Sequence, residues 1–242
     1  MLLRSVMSHV RDQNWFAVGL DFVIVVVGVF IGIQVANWNA ERADRVEAGN
    51  VLERLEQEFQ MHLERTDRSL ERHRDSVAAA ARLIRGAESG QFDEDALHTD
   101  IEIVTALAPQ PGPSMTFEEL VSSGRLGLLS DAGLRTELLA YNDYIATVRS
   151  HHQVFSGPLT NARAELMRAR RLEVSELPAD EVRRSSLTAE VNRALLVEDP
   201  ALMVTLQTAY ATQNNIHAVL VGIRQRTVDI LDRIETIRQA RR

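Results

Sequence analysis

The chain has no cysteine and no lysine: all 27 basic side chains among its 242 residues are arginine. The first absence removes structural disulfides, a thiol nucleophile, iron–sulfur clusters and zinc ribbons. The second removes a Schiff-base amine, a P-loop ammonium and an acetylation switch. Also missing are a G-x-S-x-G elbow, a phosphate-cradling glycine loop and a dinucleotide fingerprint. With 34 acidic side chains the formal net charge is −7, and a nucleic-acid partner, which wants a basic face, is not expected. The composition that remains, 45% hydrophobic and 25% charged, belongs to a folded protein with enough apolar mass for a core.

The apolar residues are unevenly placed. Residues 16–36 read FAVGLDFVIVVVGVFIGIQVA, with Asp21 the one ionisable group and Gln34 the one amide. Such a helix is about 30 Å long, the hydrocarbon thickness of a bilayer. Its β-branched residues surround the axis and leave no polar stripe, unlike a surface helix of a soluble protein. Trp15 and Trp38 stand at the two ends, where indole rings favour the headgroup region and serve as interface anchors. The small residues that precede a signal-peptidase cut are missing from Gln34-Val35-Ala36-Asn37-Trp38, so residues 15–38 read as an uncleaved signal anchor. Residues 1–14 form a short tail in which Leu2, Leu3, Val6, Met7 and Val10 share one helical face suited to the interface. Arg4, Arg11 and the terminal amine on one side, against Arg42 and Arg45 on the other, lean towards an N-terminus in the cytoplasm and residues 39–242 in the periplasm.

Within the span, Gly28 and Gly32 make a G-x-x-x-G pair that lets another helix approach closely. An ionised Asp21 carboxylate in hydrocarbon costs on the order of 2 to 3 kcal/mol unless it is paired or wetted. Asp21, Gly28, Gly32 and Gln34 are therefore the candidate packing residues. The expected partners are membrane lipid and transmembrane helices of other subunits or of a second copy.

Residues 21–39, DFVIVVVGVFIGIQVANWN, resemble the N-terminal anchor of a bacterial family of membrane-associated proteins known only as a domain of unknown function. Asp21, Gly28, Gln34, Asn37, Trp38 and Asn39 match its pattern of an acidic residue, a central glycine and a closing Gln-x-Asn-Asn-Trp-Asn sequence. Asp21 stands where glutamate is commoner, and Ala36 departs from the usual asparagine. Residues 116–145, TFEELVSSGRLGLLSDAGLRTELLAYNDYI, are similar to an internal block of that family. The resemblance implies a single-pass anchored helical protein, and it transfers no catalytic residue.

Beyond the anchor the sequence predicts helix almost throughout. A long first helix, about residues 41–86, carries Leu63, Leu70, Val77 and Ile84 at seven-residue intervals, beside Leu52, Leu55 and Phe59. The glycines of 86–90 end it. A shorter helix over about 93–107 follows, started by Asp93-Glu94-Asp95 as a capping run rather than a calcium loop. Residues 108–114 form a connection broken by Pro109, Pro111 and Pro113. Thr116 and Glu119 suggest a capping box for a short helix stopped at Gly124. Asp131 caps the next helix, whose inward face is Leu134, Leu138, Tyr141, Ile145, Val148 and Phe155; Gly157-Pro158 should kink or split it before Leu159, Leu166 and Leu172 continue the face. After a connection at Pro178 comes helix near 188–197, then a last helix at about 200–240 opened by Asp199-Pro200. Its seam is Leu206, Gln213, Ile216, Leu220, Ile223, Thr227, Ile230, Ile234 and Ile237. The fold class expected is all-α: one N-terminal transmembrane helix continuing into an elongated antiparallel helical bundle.

No residue set stands out as catalytic, and no cofactor or metal site is expected. The histidines His9, His62, His73, His98, His151, His152 and His217 read as structural or solvated; Glu58 with His62 has metal-ligand spacing, which is cheap in a Glu-rich chain. One of His151 and His152 should face inward. Arg168, Arg170 and Arg171, with Arg183 and Arg184, read as a solvated bundle face. Gln213, at a seam position, reads as a register-setting polar group, with a small polar ligand as the alternative. The functional expectation is a non-catalytic accessory, scaffold or interaction subunit of a larger membrane assembly. The alternative is a periplasmic sensory or ligand-binding bundle. The fourteen-residue leading tail has no room for an output domain, so such a bundle would act through a partner membrane protein.

Overall fold

The computed structural model describes residues 15–172 and 188–240 and, within them, all side chains except those of residues 15–18, 152, 153, 155 and 189. The interfacial tail, His9, the Pro178 connection, Arg183 and Arg184, and the side chains of Trp15, His152 and Phe155 lie outside the described residues. The chain divides into two units, one ending at Val51 and the other beginning at Leu52.

Helix α1, Trp15–Ser89, is unbroken, so the anchor and the first bundle helix expected at 15–38 and 41–86 are one element. In the N-terminal unit its residues 19–46 are exposed throughout, valines, isoleucines and phenylalanines included. This is the one helix among the described residues that is long and apolar enough to cross a membrane.

The second unit is a helical bundle. After α1 come α2 (Glu94–Ile103), α3 (Met115–Ser122), α4 (Ala132–Ser150), α5 (His152–Leu166), α6 (Arg193–Glu198) and α7 (Pro200–Ala240). Asp93 caps α2 through the amides of Asp95 and Ala96, and Asp131 caps α4 through Leu134, as their positions before apolar runs predict. Gly90 and Gly124 take positive φ values of 72° and 69° and end α1 and α3, a conformation that costs glycine nothing. Within the bundle α7 runs antiparallel to α1: Arg238 pairs with Glu56, Arg224 with Asp67, and Gln213 with His73. The predicted α7 seam from Leu206 to Ile234 is buried, and Ile237 is half-buried.

Four local expectations are corrected. The innermost residues of α1 are Leu52, Leu55, Phe59, His62, Thr66, Ser69, His73, Ser76, Ala80, Leu83 and Ala87. Of the predicted seven-residue row Leu70 is buried, whereas Leu63, Val77 and Ile84 are half-buried; the row is the shoulder of the stripe, because the bundle receives polar side chains at its centre. The helix expected near 188–197 is strand β2 (Thr188–Val191), antiparallel to β1 (Arg170–Leu172), followed by α6 alone. Leu172 accordingly leaves the helical apolar face and is 38% exposed. The break expected at Gly157-Pro158 falls at His151, whose Nδ1 lies 2.8 Å from the Thr147 carbonyl, and Pro158 sits inside α5.

Phe59 is fully buried and meets the Tyr141 ring edge-on at 4.9 Å. Phe59→Ala should lower bundle stability by about 3 to 5 kcal/mol, read as a shifted urea midpoint with an unchanged slope.

Candidate functional site

In the N-terminal unit the expected packing residues all lie on α1. Asp21 and Gln34 are exposed. A β-carbon added at Gly28 or Gly32 would meet nothing within 4 Å, so this surface is open. Trp38 is exposed, with the Arg42 guanidinium 6.0 Å from its ring centroid. The geometry of α1 puts Asp21, Gly28 and Gly32 within about 40° of one another around the axis and Gln34 on the opposite side.

In the bundle the polar groups converge on one backbone segment. Residues 104–114 join α2 to α3 without regular structure. Proline at 109, 111 and 113 takes away donors, and a strap of this kind cannot satisfy its own carbonyls. The bundle satisfies them instead. Ser69 Oγ donates to the Pro109 carbonyl (2.6 Å), and where α2 leads into the strap Ser76 Oγ donates to the carbonyl of its last residue, Ile103 (2.8 Å). Gln213 Nε2 donates to both Val104 (3.0 Å) and Ala106 (2.9 Å). Tyr141 Oη donates to Gly112 (3.2 Å), and Asn142 Nδ2 to Ser114 (3.4 Å).

Two histidines complete this arrangement. His73 is 2% exposed and its Nδ1 lies 2.5 Å from Gln213 Oε1. Both Gln213 amide hydrogens are committed to carbonyls, so Oε1 accepts and His73 Nδ1 carries the proton. His73 Nε2 is then an acceptor, and it is buried with no partner. His62 Nδ1 lies 2.9 Å from Tyr141 Oη, whose single proton goes to Gly112, so the imidazole donates. Burial holds both imidazoles below the ordinary value of 6.5 and pushes the Tyr141 phenol up.

The start of α3 shows a further correction. Thr116 and Glu119 do not form a capping box. Ser114 is the N-cap, accepting from the Phe117 amide at 3.2 Å. Glu58 of α1 takes the remaining donors, from Met115 N at 2.6 Å, Thr116 N at 3.3 Å and Ser114 Oγ at 3.0 Å. Glu119 turns instead to Arg54 at 2.5 Å. Glu58 with His62 is thus a helix cap beside an aromatic contact. No group of three or more His, Asp or Glu among the described residues could hold a metal ion. Arg170 departs from the expected solvated face: its side chain is 8% exposed, against Glu102 at 3.4 Å and Thr188 Oγ1 at 2.6 Å. Arg168 pairs with Glu165 and Asp199. His151 is exposed.

A shallow groove of about 270 Å³ opens beside the strap, lined by Arg72, His73, Asp75, Ser76, Ile103 and Leu107. It lies below the usual range for a drug-sized ligand, and His73 Nε2 has no access to it because that atom is covered. No family model, curated protein or solved structure matches the chain.

Of the strap-binding residues, Tyr141 was read from the sequence as part of the inward face of α4, whereas Ser69, Ser76 and Asn142 were not singled out. The available signal was the run of polar residues obtained when the heptad is phased on Leu52, Leu55 and Phe59. Gln213→Leu should orphan the Val104 and Ala106 carbonyls and the His73 Nδ1–H. At about 1 to 3 kcal/mol for each orphaned group, the loss in a urea titration should reach roughly 3 kcal/mol or more.

Proposed function

We propose that the chain is a non-catalytic, single-pass protein of the bacterial inner membrane, anchored by residues 15–38, whose helical bundle is an accessory or interaction module of a larger membrane assembly. The observation that carries this reading is the uncovered apolar stretch of α1. No described residue covers positions 19–46, and a bilayer is the environment in which such a surface is stable. The placement of Asp21 on the same stripe as Gly28 and Gly32 supports a partner helix in that bilayer. The glycines permit close backbone approach, and the carboxyl wants a hydrogen-bonding group in hydrocarbon. The single-pass anchor in this reading is also what the resemblance to a family of membrane-associated proteins implies, and that resemblance assigns no activity. The arginine balance across the anchor supports a cytoplasmic N-terminus and a periplasmic bundle.

A second reading, a small-ligand-binding bundle that signals through a partner, is favoured by one observation, the groove beside His73. Thermal-shift screening with small polar ligands separates the two, because selective binding raises the unfolding temperature.

Alkaline carbonate should leave the full chain in the membrane pellet; its release as a soluble protein would overturn the anchor. Gentle detergent purification should recover stoichiometric partners. The double substitution Gly28→Ile with Gly32→Ile should lower that recovery by about tenfold, equivalent to roughly 1.4 kcal/mol, while the protein still resists carbonate. Recovery of the native chain as a lone monomer would overturn the assembly role. Protease added to spheroplasts should degrade the bundle and spare the N-terminus.

A further inference from the structure

The strap is held to the bundle by a hydrogen-bond relay that works in one protonation state. At its α2 end the relay runs from His73 Nδ1–H to Gln213 Oε1, and from the two Gln213 amide hydrogens to the carbonyls of Val104 and Ala106. Gln213 is fully buried, as is the Val104 side chain, so the bond to Val104 has no water to replace it; the bond to Ala106 is part-buried at the edge of the groove. The other nitrogen of His73 is covered and has no acceptor within reach. A second proton on His73 would place an N–H and a full charge where nothing receives either.

We infer that the segment Val104–Ala106 is an acid-released latch, and that protonation of His73 frees this end of the strap while the helices around it stay folded. To carry a second proton, His73 must turn toward water. Turning withdraws Nδ1–H from Gln213, and with Gln213 no longer oriented the two strap carbonyls lose their donors. The segment is a turn that follows the α2 C-cap at Val104, and Pro109, Pro111 and Pro113 keep the strap beyond it from continuing that helix once it is freed.

One charge that faces His73 acts in the same direction. From α7 the facing titratable group is His217, whose Nδ1 is also buried without a partner; its positive form opposes a proton on His73. From the strap, residues 103–108 present no ionisable side chain. On α1 itself Arg72 and Asp75 border the adjoining groove and carry opposite signs. The far end of the strap is held through Tyr141 by His62, which has Tyr141 facing it from α4 and Glu58 and Arg65 on its own helix.

The sign follows from the direction of the shift. His73 in the folded bundle lies below its ordinary value of 6.5, chiefly through burial, with the Gln213 bond opposing the change and His217 adding to it. The released form therefore binds protons more readily than the closed one. The latch is fully held above 6.5, and its hold is lost as the pH falls through the lowered value.

Hydrogen–deuterium exchange of the full chain in detergent tests this, at about pH 7.5 and about pH 5, with each amide corrected for its intrinsic rate. The reporters are the amides of Val104 and Ala106, which bond to Asp100 and Ile103. Their protection should fall by about tenfold or more at the lower pH, while α4 and the middle of α7 keep theirs. Equal protection at both values would overturn the latch, and so would a loss shared by every helix, which is global acid unfolding. His73→Gln should remove the pH dependence. His217→Gln, at a half-buried position, serves if that variant does not fold: with the facing imidazole gone, release should begin at higher pH, and an unchanged profile would remove His73 as the responsible group.

Discussion

A proline-broken strap in contact with a helical core sets the terms for the rest of the bundle. Backbone carbonyls that leave water must find donors, and residues 104–114 supply few of their own. The neighbouring helices therefore bring Ser69, Ser76, Tyr141, Asn142 and Gln213 to the carbonyls. This requirement accounts for a core that is polar in its middle and apolar on either side. Leu52, Leu55 and Phe59 pack at one end of the α1 seam and Ala80, Leu83 and Ala87 at the other, with His62 to Ser76 between them.

Buried polar groups of this kind specify position more than they add stability. A one-turn slip of α7 along α1 would carry Gln213 away from His73 and from both strap carbonyls, leaving several buried groups unpaired at once. The paired charges at Glu56 with Arg238 and Asp67 with Arg224 favour the same register. Being on the surface, they contribute modestly. The apolar stretch of α1 obeys the opposite logic: among residues 19–36 every exposed residue but Asp21 and Gln34 is apolar or glycine, and the backbone lies within one helix, so the polar groups of the main chain need no outside partner.

Much of this was legible in the sequence. Helix caps at Asp93, Asp131 and Asp199, glycine stops at Gly90 and Gly124, and the α7 seam could be read because each depends on a few neighbouring residues. The long apolar stretch of α1 could be read for the same reason. What was misread depended on remote partners. Glu58 caps a helix 57 positions away, and no local pattern announces that. Thr188–Val191 pairs with Arg170–Leu172 and is held there by Glu102 and Arg170, so a segment with no strong preference of its own became a strand. The α1 stripe was phased on leucines because hydrophobicity is the usual sign of burial, whereas the strap demanded hydroxyls, imidazoles and an amide.

By itself the sequence determined that the chain is helical, where most helices begin and end, and that one stretch is too apolar to be left in water. Those are properties of composition and of periods under eight residues, set by backbone geometry and hydration. Only the tertiary structure decided which face of α1 points inward, which nitrogen of His73 holds the proton and which side chains serve the strap. These outcomes depend on matching donors to acceptors that lie tens of residues apart, and the pairs form only once the helices have been brought together.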